Sequence, residues 1–91
     1  MAYISKDDAT LAAVRHVTQL GQSAGDEFAI LPEETQEIPE GWVFFYNSAD
    51  FVRTRNPIDS LAGNGPVFVR RDGGVRDLPS AIPWLDALKG I

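Results

Sequence analysis

The sequence has no cysteine and only one histidine among its 91 residues. Without thiols, a disulfide scaffold, a zinc–thiolate site and a cysteine nucleophile are all excluded. A single imidazole also cannot supply a multi-histidine metal site. We therefore expect a protein that uses neither a metal nor a cofactor.

Basic residues are also few, with 8 Lys+Arg against 13 Asp+Glu and a net charge of −5. This balance argues against nucleic-acid binding, in which phosphate neutralisation drives affinity, and it permits a basic protein partner. The longest apolar run, residues 42–46, is far too short to span a membrane. The N-terminus turns polar after four residues and resembles no signal peptide, so a soluble cytoplasmic protein is expected.

The length predicts one domain covering residues 1–91, and a hydrophobic content of 44% predicts that it folds. A first helix is predicted over residues 6–20. Ser5 is a favourable N-cap, Asp8 stands three residues later, and apolar side chains follow at helical spacing. Gly21 is predicted to end this helix.

Four strands are predicted, at residues 27–31, 41–48, 66–71 and 75–78, with the acidic segment 33–40 as a loop or a frayed strand. The run 41–48 is the strongest. Its alternation places Trp42, Phe44 and Tyr46 on one face, and both faces are largely apolar. We therefore expect a central strand covered on one side by the helix. We expect the other side to be covered by the C-terminal segment, the long loop or a second copy of the protein.

The connection 49–65 is long enough to contain a helical turn, predicted at residues 56–59 from an Asn-Pro start. In the turn that follows, Gly63 is expected in a left-handed conformation and Asn64 in an unusual one. Asp72-Gly73 predicts a hairpin, and Pro83 opens a short final helix that Gly90 ends. The predicted class is α+β: an N-terminal helix packed on an antiparallel sheet of about four strands, with a short C-terminal helix.

Candidate chemical groups are sparse. His16 is interpreted as a surface or boundary residue of the first helix, because sequence identifies no nucleophile or orienting acid beside it. The Gly-rich segment 63–66 is followed by a strand and lacks a nearby lysine, so it is interpreted as a tight turn and not as a phosphate loop. The sequence therefore predicts a protein that is not an enzyme.

Charged residues offer a second kind of site. The acids Glu33, Glu34, Glu37 and Glu40 lack the spacing of a calcium loop, which leaves a solvated face or a docking surface for a basic partner. The arginines at 70, 71 and 76 fall on or beside the hairpin, where charge discourages edge-to-edge pairing. Arg53 and Arg55 lie in the long loop and are freer to contact a partner.

One block of sequence resembles a known family. The strand Gly-Trp-Val-Phe-Phe-Tyr-Asn-Ser at 41–48 and the turn Leu-Ala-Gly-Asn-Gly-Pro at 61–66, followed by Asp-Gly-Gly at 72–74, resemble the immunity protein 35 family, also met as YrhB-type domains in bacteria. The resemblance implies an immunity protein of a bacterial polymorphic toxin system, which protects the producing cell by binding a toxin. It implies that the residues of the shared block mainly determine the fold, and it does not say which residues contact a toxin.

The leading hypothesis is an immunity protein that binds a cognate toxin stoichiometrically and occludes its active site. The residues predicted to contact the toxin are Glu33, Glu34, Glu37, Glu40, Asp50, Arg53 and Arg55. A non-enzymatic binding or homodimeric assembly module is the main alternative, because the central strand is apolar on both faces. A small enzyme relying on His16 is the third.

Overall fold

The chain alternates short strands with three α-helices in a computed structural model that describes residues 3–61 and 63–89. Gly90, predicted to end the last helix, lies outside the described residues. In chain order the elements are α1 Lys6–Ala24, β1 Phe28–Ile30, β2 Gln36–Ile38, β3 Gly41–Phe44, β4 Tyr46–Ser48, α2 Ala49–Thr54, β5 Val67–Arg70, β6 Val75–Asp77 and α3 Trp84–Leu88, with 3-10 turns at Pro32–Glu34 and Pro57–Asp59. The predicted α+β class is confirmed.

Helix α1 begins where the sequence predicts and ends later. The Ser5 hydroxyl accepts a hydrogen bond from the Asp8 backbone N–H at 3.1 Å, and the Asp8 carboxylate accepts one from the Ser5 N–H at 3.4 Å. The predicted end at Gly21 is wrong, because the helix continues to Ala24 and is capped by Gly25, whose φ of 71° is left-handed. A Cβ at Gly21 would lie 2.7 Å from the Asp26 carbonyl oxygen. Gly21 therefore permits close packing of the following chain and does not end the helix.

The predicted strand 41–48 is divided at Phe45. Its first part, β3, belongs to a four-stranded sheet of order β2-β3-β5-β6, while its second part, β4, pairs with β1 in a separate two-stranded sheet. All four pairings within the two sheets are antiparallel. The Phe45 carbonyl accepts a hydrogen bond from the Leu31 N–H at 2.7 Å, so pairing with the β1 side begins at this residue.

The predicted division of side chains between two faces is confirmed across the break. One cluster, between the sheets and α1, has Trp42, Phe44 and Val69 at its centre, with Tyr46 packed against it. The other cluster contains Val43 and Phe68. It is covered by the C-terminal segment, through these residues: Leu78, Trp84, Ala87 and Leu88. Of the alternatives left open for covering the second face, the C-terminal segment is the one that occupies it.

The predicted hairpin is confirmed, with Phe68 opposite Arg76 in the β5–β6 register. The turn at residues 57–59 is confirmed as well, whereas helix α2 was not predicted. The left-handed conformation predicted for Gly63 is confirmed by its φ of 78°, whereas Asn64 has no positive φ. Asn64 instead donates its side-chain N–H to the Tyr46 carbonyl at 2.8 Å.

Candidate interaction surface

The acidic segment and the long loop meet at one ion pair. The guanidinium of Arg55 lies 2.9 Å from the carboxylate of Glu33, which joins the turn Pro32–Glu34 to the end of α2. On α2 itself, Arg53 pairs with Asp50 at 2.7 Å. Five of the seven predicted contact residues thus lie on two adjoining elements. We call this set the α2 surface: Glu33, Glu34, Asp50, Arg53 and Arg55.

The other two predicted contact residues lie elsewhere. Glu37 is on β2, opposite Trp42 of β3, and its carboxylate lies 3.2 Å from the guanidinium of Arg71. Glu40 is in the turn between β2 and β3, where its backbone carbonyl accepts a hydrogen bond from the Arg71 N–H. These two acids are grouped around Arg71 and are not brought to α2.

Arg71 acts as a clamp between the hairpin and β2. Its guanidinium lies 4.3 Å from the centre of the Trp42 ring, and it donates hydrogen bonds to the carbonyls of Ile38 at 2.6 Å and Pro39 at 3.2 Å. A planar cation with several donors can stack on an indole and bind carbonyls simultaneously. The sequence interpretation of Arg71 as a charge that blocks edge pairing missed this structural role.

The carboxylate of Glu33 is stabilised in its charged form. A hydrogen bond from its own backbone and one from Arg55 hold the pKa of Glu33 below its ordinary value. Both side chains of this pair are at least half exposed, and exposed ion pairs contribute little to stability. The pair therefore connects the turn to the end of α2 and favours the charged form of Glu33, but it adds little to stability.

Negative charge extends beyond the α2 surface towards the end of α1. A shallow cavity of about 470 Å³ beside Ala49 is lined by three carboxylates and no cation among the described residues: Asp26, Glu27 and Asp50. Asp26 and Glu27 were not named as contact residues from sequence. The signal for them is the run 26–40, which has six acids and no base.

Three polar residues from the block that carries the family resemblance hold the long loop in place. The Asn47 side-chain oxygen accepts hydrogen bonds from the N–H groups of Ser48 at 2.8 Å and Leu61 at 2.7 Å. The Ser48 hydroxyl donates to the Asp59 carbonyl at 2.5 Å and accepts from the Phe51 N–H at 3.1 Å. With the Asn64 bond to β4, these contacts fix both ends of the loop that displays α2.

His16 lies on the side of α1 that faces β6. Its Nε2 atom is 2.7 Å from a carboxylate oxygen of Asp77, and both side chains are partly exposed. The pair links the helix to the terminal strand of the larger sheet. The prediction of a boundary residue is confirmed by its intermediate burial.

In the described parts of the chain, no three acidic or histidine side chains are grouped so that they could bind a metal ion. None of the helices within residues 3–61 and 63–89 has the length and apolarity needed to cross a membrane.

Comparison with known proteins gives one finding. The family model for Immunity protein 35 matches residues 7–89, which runs from the first turn of α1 past the end of α3. No curated protein and no solved structure matches the chain. The match covers most of the sequence and includes the block on which the resemblance rests. The chain belongs to the Immunity protein 35 family.

Proposed function

We propose that this protein is an immunity protein of a bacterial polymorphic toxin system, which binds a cognate toxin one-to-one and occludes its active site. The observation that carries the proposal is the family match over residues 7–89. On this proposal the protein acts in the cytoplasm as an inhibitor and not as an enzyme. A domain of 91 residues is large enough to cover the mouth of an active site.

The α2 surface is the proposed first point of contact with the toxin. Its residue Asp50 lines one cavity with the carboxylates of Asp26 and Glu27, so negative charge predominates there. Such a surface accelerates association with a basic partner, and the basic partner here is the toxin. Glu37 and Glu40 also belong to the proposed contact set, but they lie next to Arg71 and not on the α2 surface.

Co-expression with the product of the neighbouring toxin gene tests the proposal. We expect cells to survive only when the immunity gene is present, and the two purified proteins to form a one-to-one complex that lacks toxin activity. Absence of both rescue and binding would contradict the proposal.

The role of the acids is tested by the rate of association. Glu34→Lys should slow association with the toxin about tenfold at low salt and reduce its salt dependence. Asp7→Lys on α1 is the matched control, because it changes the net charge equally and lies outside the α2 surface. Equal association rates for the two variants would exclude steering by the α2 surface.

A homodimeric assembly module is the second candidate. Strands β2 and β6 are the terminal strands of the larger sheet in the described chain, and terminal strands are where a second copy can add. Each has only three residues, and such short edges are poor templates for pairing. Sedimentation of the purified protein at tens of micromolar distinguishes the two candidates, because a stable dimer would favour the homodimeric module.

A further inference from the structure

The two faces of the larger sheet are covered unequally. Helix α1, with 19 residues, packs on the first face, whereas α3, with 5 residues, packs on the second. The part of the second face that α3 leaves open forms a groove of about 860 Å³ at the hairpin end of the sheet. We call it the hairpin groove.

The centre of the hairpin groove is apolar. Ile38 and Phe68 form its floor, and Leu85 and Leu88 of α3 form one wall. Leu85 is 56% exposed, whereas Ala87 and Leu88 of the same helix pack in the second cluster. Leu85 therefore joins the floor and the wall in one grouped apolar patch, and such patches, unlike single exposed leucines, mark surfaces that a partner covers.

The rim of the hairpin groove is basic, opposite in sign to the chain as a whole. Four cationic side chains line it against two carboxylates, Glu40 and Asp72. The cations are Arg70, Arg71, Arg76 and Lys89. The lining side chains alone carry +2 in a protein whose net charge is −5. Two of these cations are paired from outside the lining, Arg71 with Glu37 and Lys89 with Asp86.

Arg76 is the cation most available to a partner. Arg70 pairs with Asp72 at 3.2 Å, and Lys89 approaches Asp86 at 3.4 Å. No carboxylate within the described parts of the chain pairs with Arg76, which lies directly opposite Phe68 in the sheet. A free guanidinium next to an apolar floor is suited to a carboxylate that neighbours an apolar side chain.

We propose that the hairpin groove binds a protruding segment of the toxin in which carboxylates alternate with bulky apolar side chains. The inference rests on the proposed function and assigns it a second contact surface, opposite in charge to the α2 surface. The volume is that of a pocket for a few side chains and not for a folded domain. The acidic part of the segment pairs with Arg76, and its apolar part covers Leu85 and Phe68.

Binding to the toxin is measured for two pairs of matched variants. Arg76→Glu should weaken the complex at least tenfold, while Arg15→Glu, an equal charge reversal on an exposed site of α1, should change it less than twofold. Leu85→Gln should weaken it severalfold, while Leu11→Gln on α1, where the leucine is also 56% exposed, should have little effect. If wild type binds and all four variants bind equally well, the inference is wrong and the proposed function stands.

A second measurement decides the inference even if the toxin does not bind. The labelled protein is titrated with a capped hexapeptide in which glutamates alternate with leucine and phenylalanine, and with the same peptide carrying lysines instead. The glutamate peptide should shift the amide resonances of Phe68 and Arg76, and Arg76→Glu should abolish the shifts. Absence of shifts up to the solubility limit, or equal shifts with the lysine peptide, would overturn the inference. So would a dimer of the free protein that Leu85→Gln dissociates, because the occupant would then be a second copy.

Discussion

At the scale of single residues, Arg71 shows how one side chain joins segments that are distant in sequence. It stacks on Trp42 of β3, binds the carbonyls of Ile38 and Pro39, and pairs with Glu37 of β2. Its side chain is only 27% exposed, so water competes weakly for these bonds. The neighbouring Arg70 makes one exposed ion pair with Asp72.

We expect Arg71→Ala to lower the free energy of unfolding by about 2 kcal/mol, because it removes a cation–π contact and leaves the Ile38 and Pro39 carbonyls without these charged donors. Arg71→Lys should recover only part of this loss, since an ammonium cannot stack and bind in the same geometry. The measurement is urea unfolding followed by tryptophan fluorescence. Arg70→Ala is the control, with a loss of at most about 1 kcal/mol; equal losses at 70 and 71 would argue against the clamp.

Tyr46 gives a prediction for alkaline pH. Burial, assisted by the negative charge of Asp77, raises the pKa of the Tyr46 phenol above its ordinary value. The unfolded chain therefore loses this proton at a lower pH than the folded chain does. The stability contribution is complete below the pKa of the unfolded phenol, about 10, and is lost as the pH rises through the folded value.

Denaturant unfolding between pH 8 and 11 measures this effect. We expect the stability of the wild type to fall above about pH 10 and the fall to be smaller in Tyr46→Phe, which has no phenol to ionise. Asp77→Asn should also reduce it, since it removes the second cause of the raised pKa. A steep alkaline loss of unchanged size in Tyr46→Phe would show that other groups are responsible.

At the scale of elements, the sequence predicted where helix α1 begins better than where it ends. Ser5 and Asp8 specify the start of α1 through contacts within one turn, which sequence records directly. Gly21 looks like a helix end because a glycine that ends a helix and one that permits close packing are identical in sequence. The carbonyl of Asp26 packs against Gly21 only once the chain has folded, so the sequence does not record this contact.

The division of the run 41–48 has a similar explanation. Alternation predicted correctly which side chains share a face, because alternation is a property of the extended backbone itself. The change of sheet at Phe45 depends on hydrogen bonding to Leu31, which no local pattern encodes. Helix α2 was missed because its N-cap, Ser48, is also the last residue of β4.

Ser48 supports a prediction about the loop that carries the α2 surface. It is 5% exposed, caps α2, and binds the Asp59 carbonyl. Ser48→Ala removes both bonds and should cost about 1–2 kcal/mol of unfolding free energy. Ser80→Ala, at an exposed site outside the loop, should be within about 0.5 kcal/mol of the wild type. Thermal or urea unfolding measures both, and no loss in Ser48→Ala would contradict the proposed hydrogen-bonding role.

Ser48→Ala should also raise the rate of amide exchange in residues 49–60, since the loop loses one of its attachments. Two substitutions at Asn47 test the same loop, because Asn47→Asp removes some of its hydrogen bonds and Asn47→Ala removes all of them. Asn47→Asp retains the oxygen that accepts from Leu61 and loses the N–H that donates to Ser60 at 3.2 Å. Its effect on loop exchange should be smaller than that of Asn47→Ala, which loses every one of these bonds.

At the scale of the whole molecule, the sequence pointed to residues of one proposed surface and not to those of the other. The acids and arginines of the α2 surface fall in two charged segments, residues 33–34 and 50–55, that the sequence shows directly. The ion pair that joins the segments links residues 22 positions apart, and the sequence does not show it. The grouping of Glu37 and Glu40 around Arg71 depends on a contact across more than 30 residues. The hairpin groove combines β2, the hairpin and α3, and its basic sign was hidden because the net charge is negative.

The unequal cover of the larger sheet predicts where the fold is most sensitive. Ala87 is 8% exposed and packs in the cluster with Val43 and Phe68. Ala87→Glu should place an unpaired carboxylate in this cluster, lower stability by several kcal/mol and expose apolar surface to a hydrophobic dye. Ala81→Glu, the same change at an exposed position before α3, should leave both stability and dye binding unchanged. If the Ala87→Glu protein stayed folded and did not bind the dye, the packing of α3 on this cluster would not be needed for the fold.

The division of one strand run between two sheets has a consequence for how the protein unfolds. Strands β3 and β4 are separated by Phe45 alone, so displacement of β4 from β1 pulls directly on the centre of the larger sheet. Helix α1 packs on both sheets at once, through Phe28 on one side and Val69 on the other. We therefore expect the two sheets to open together, so that the described chain unfolds in a single cooperative transition.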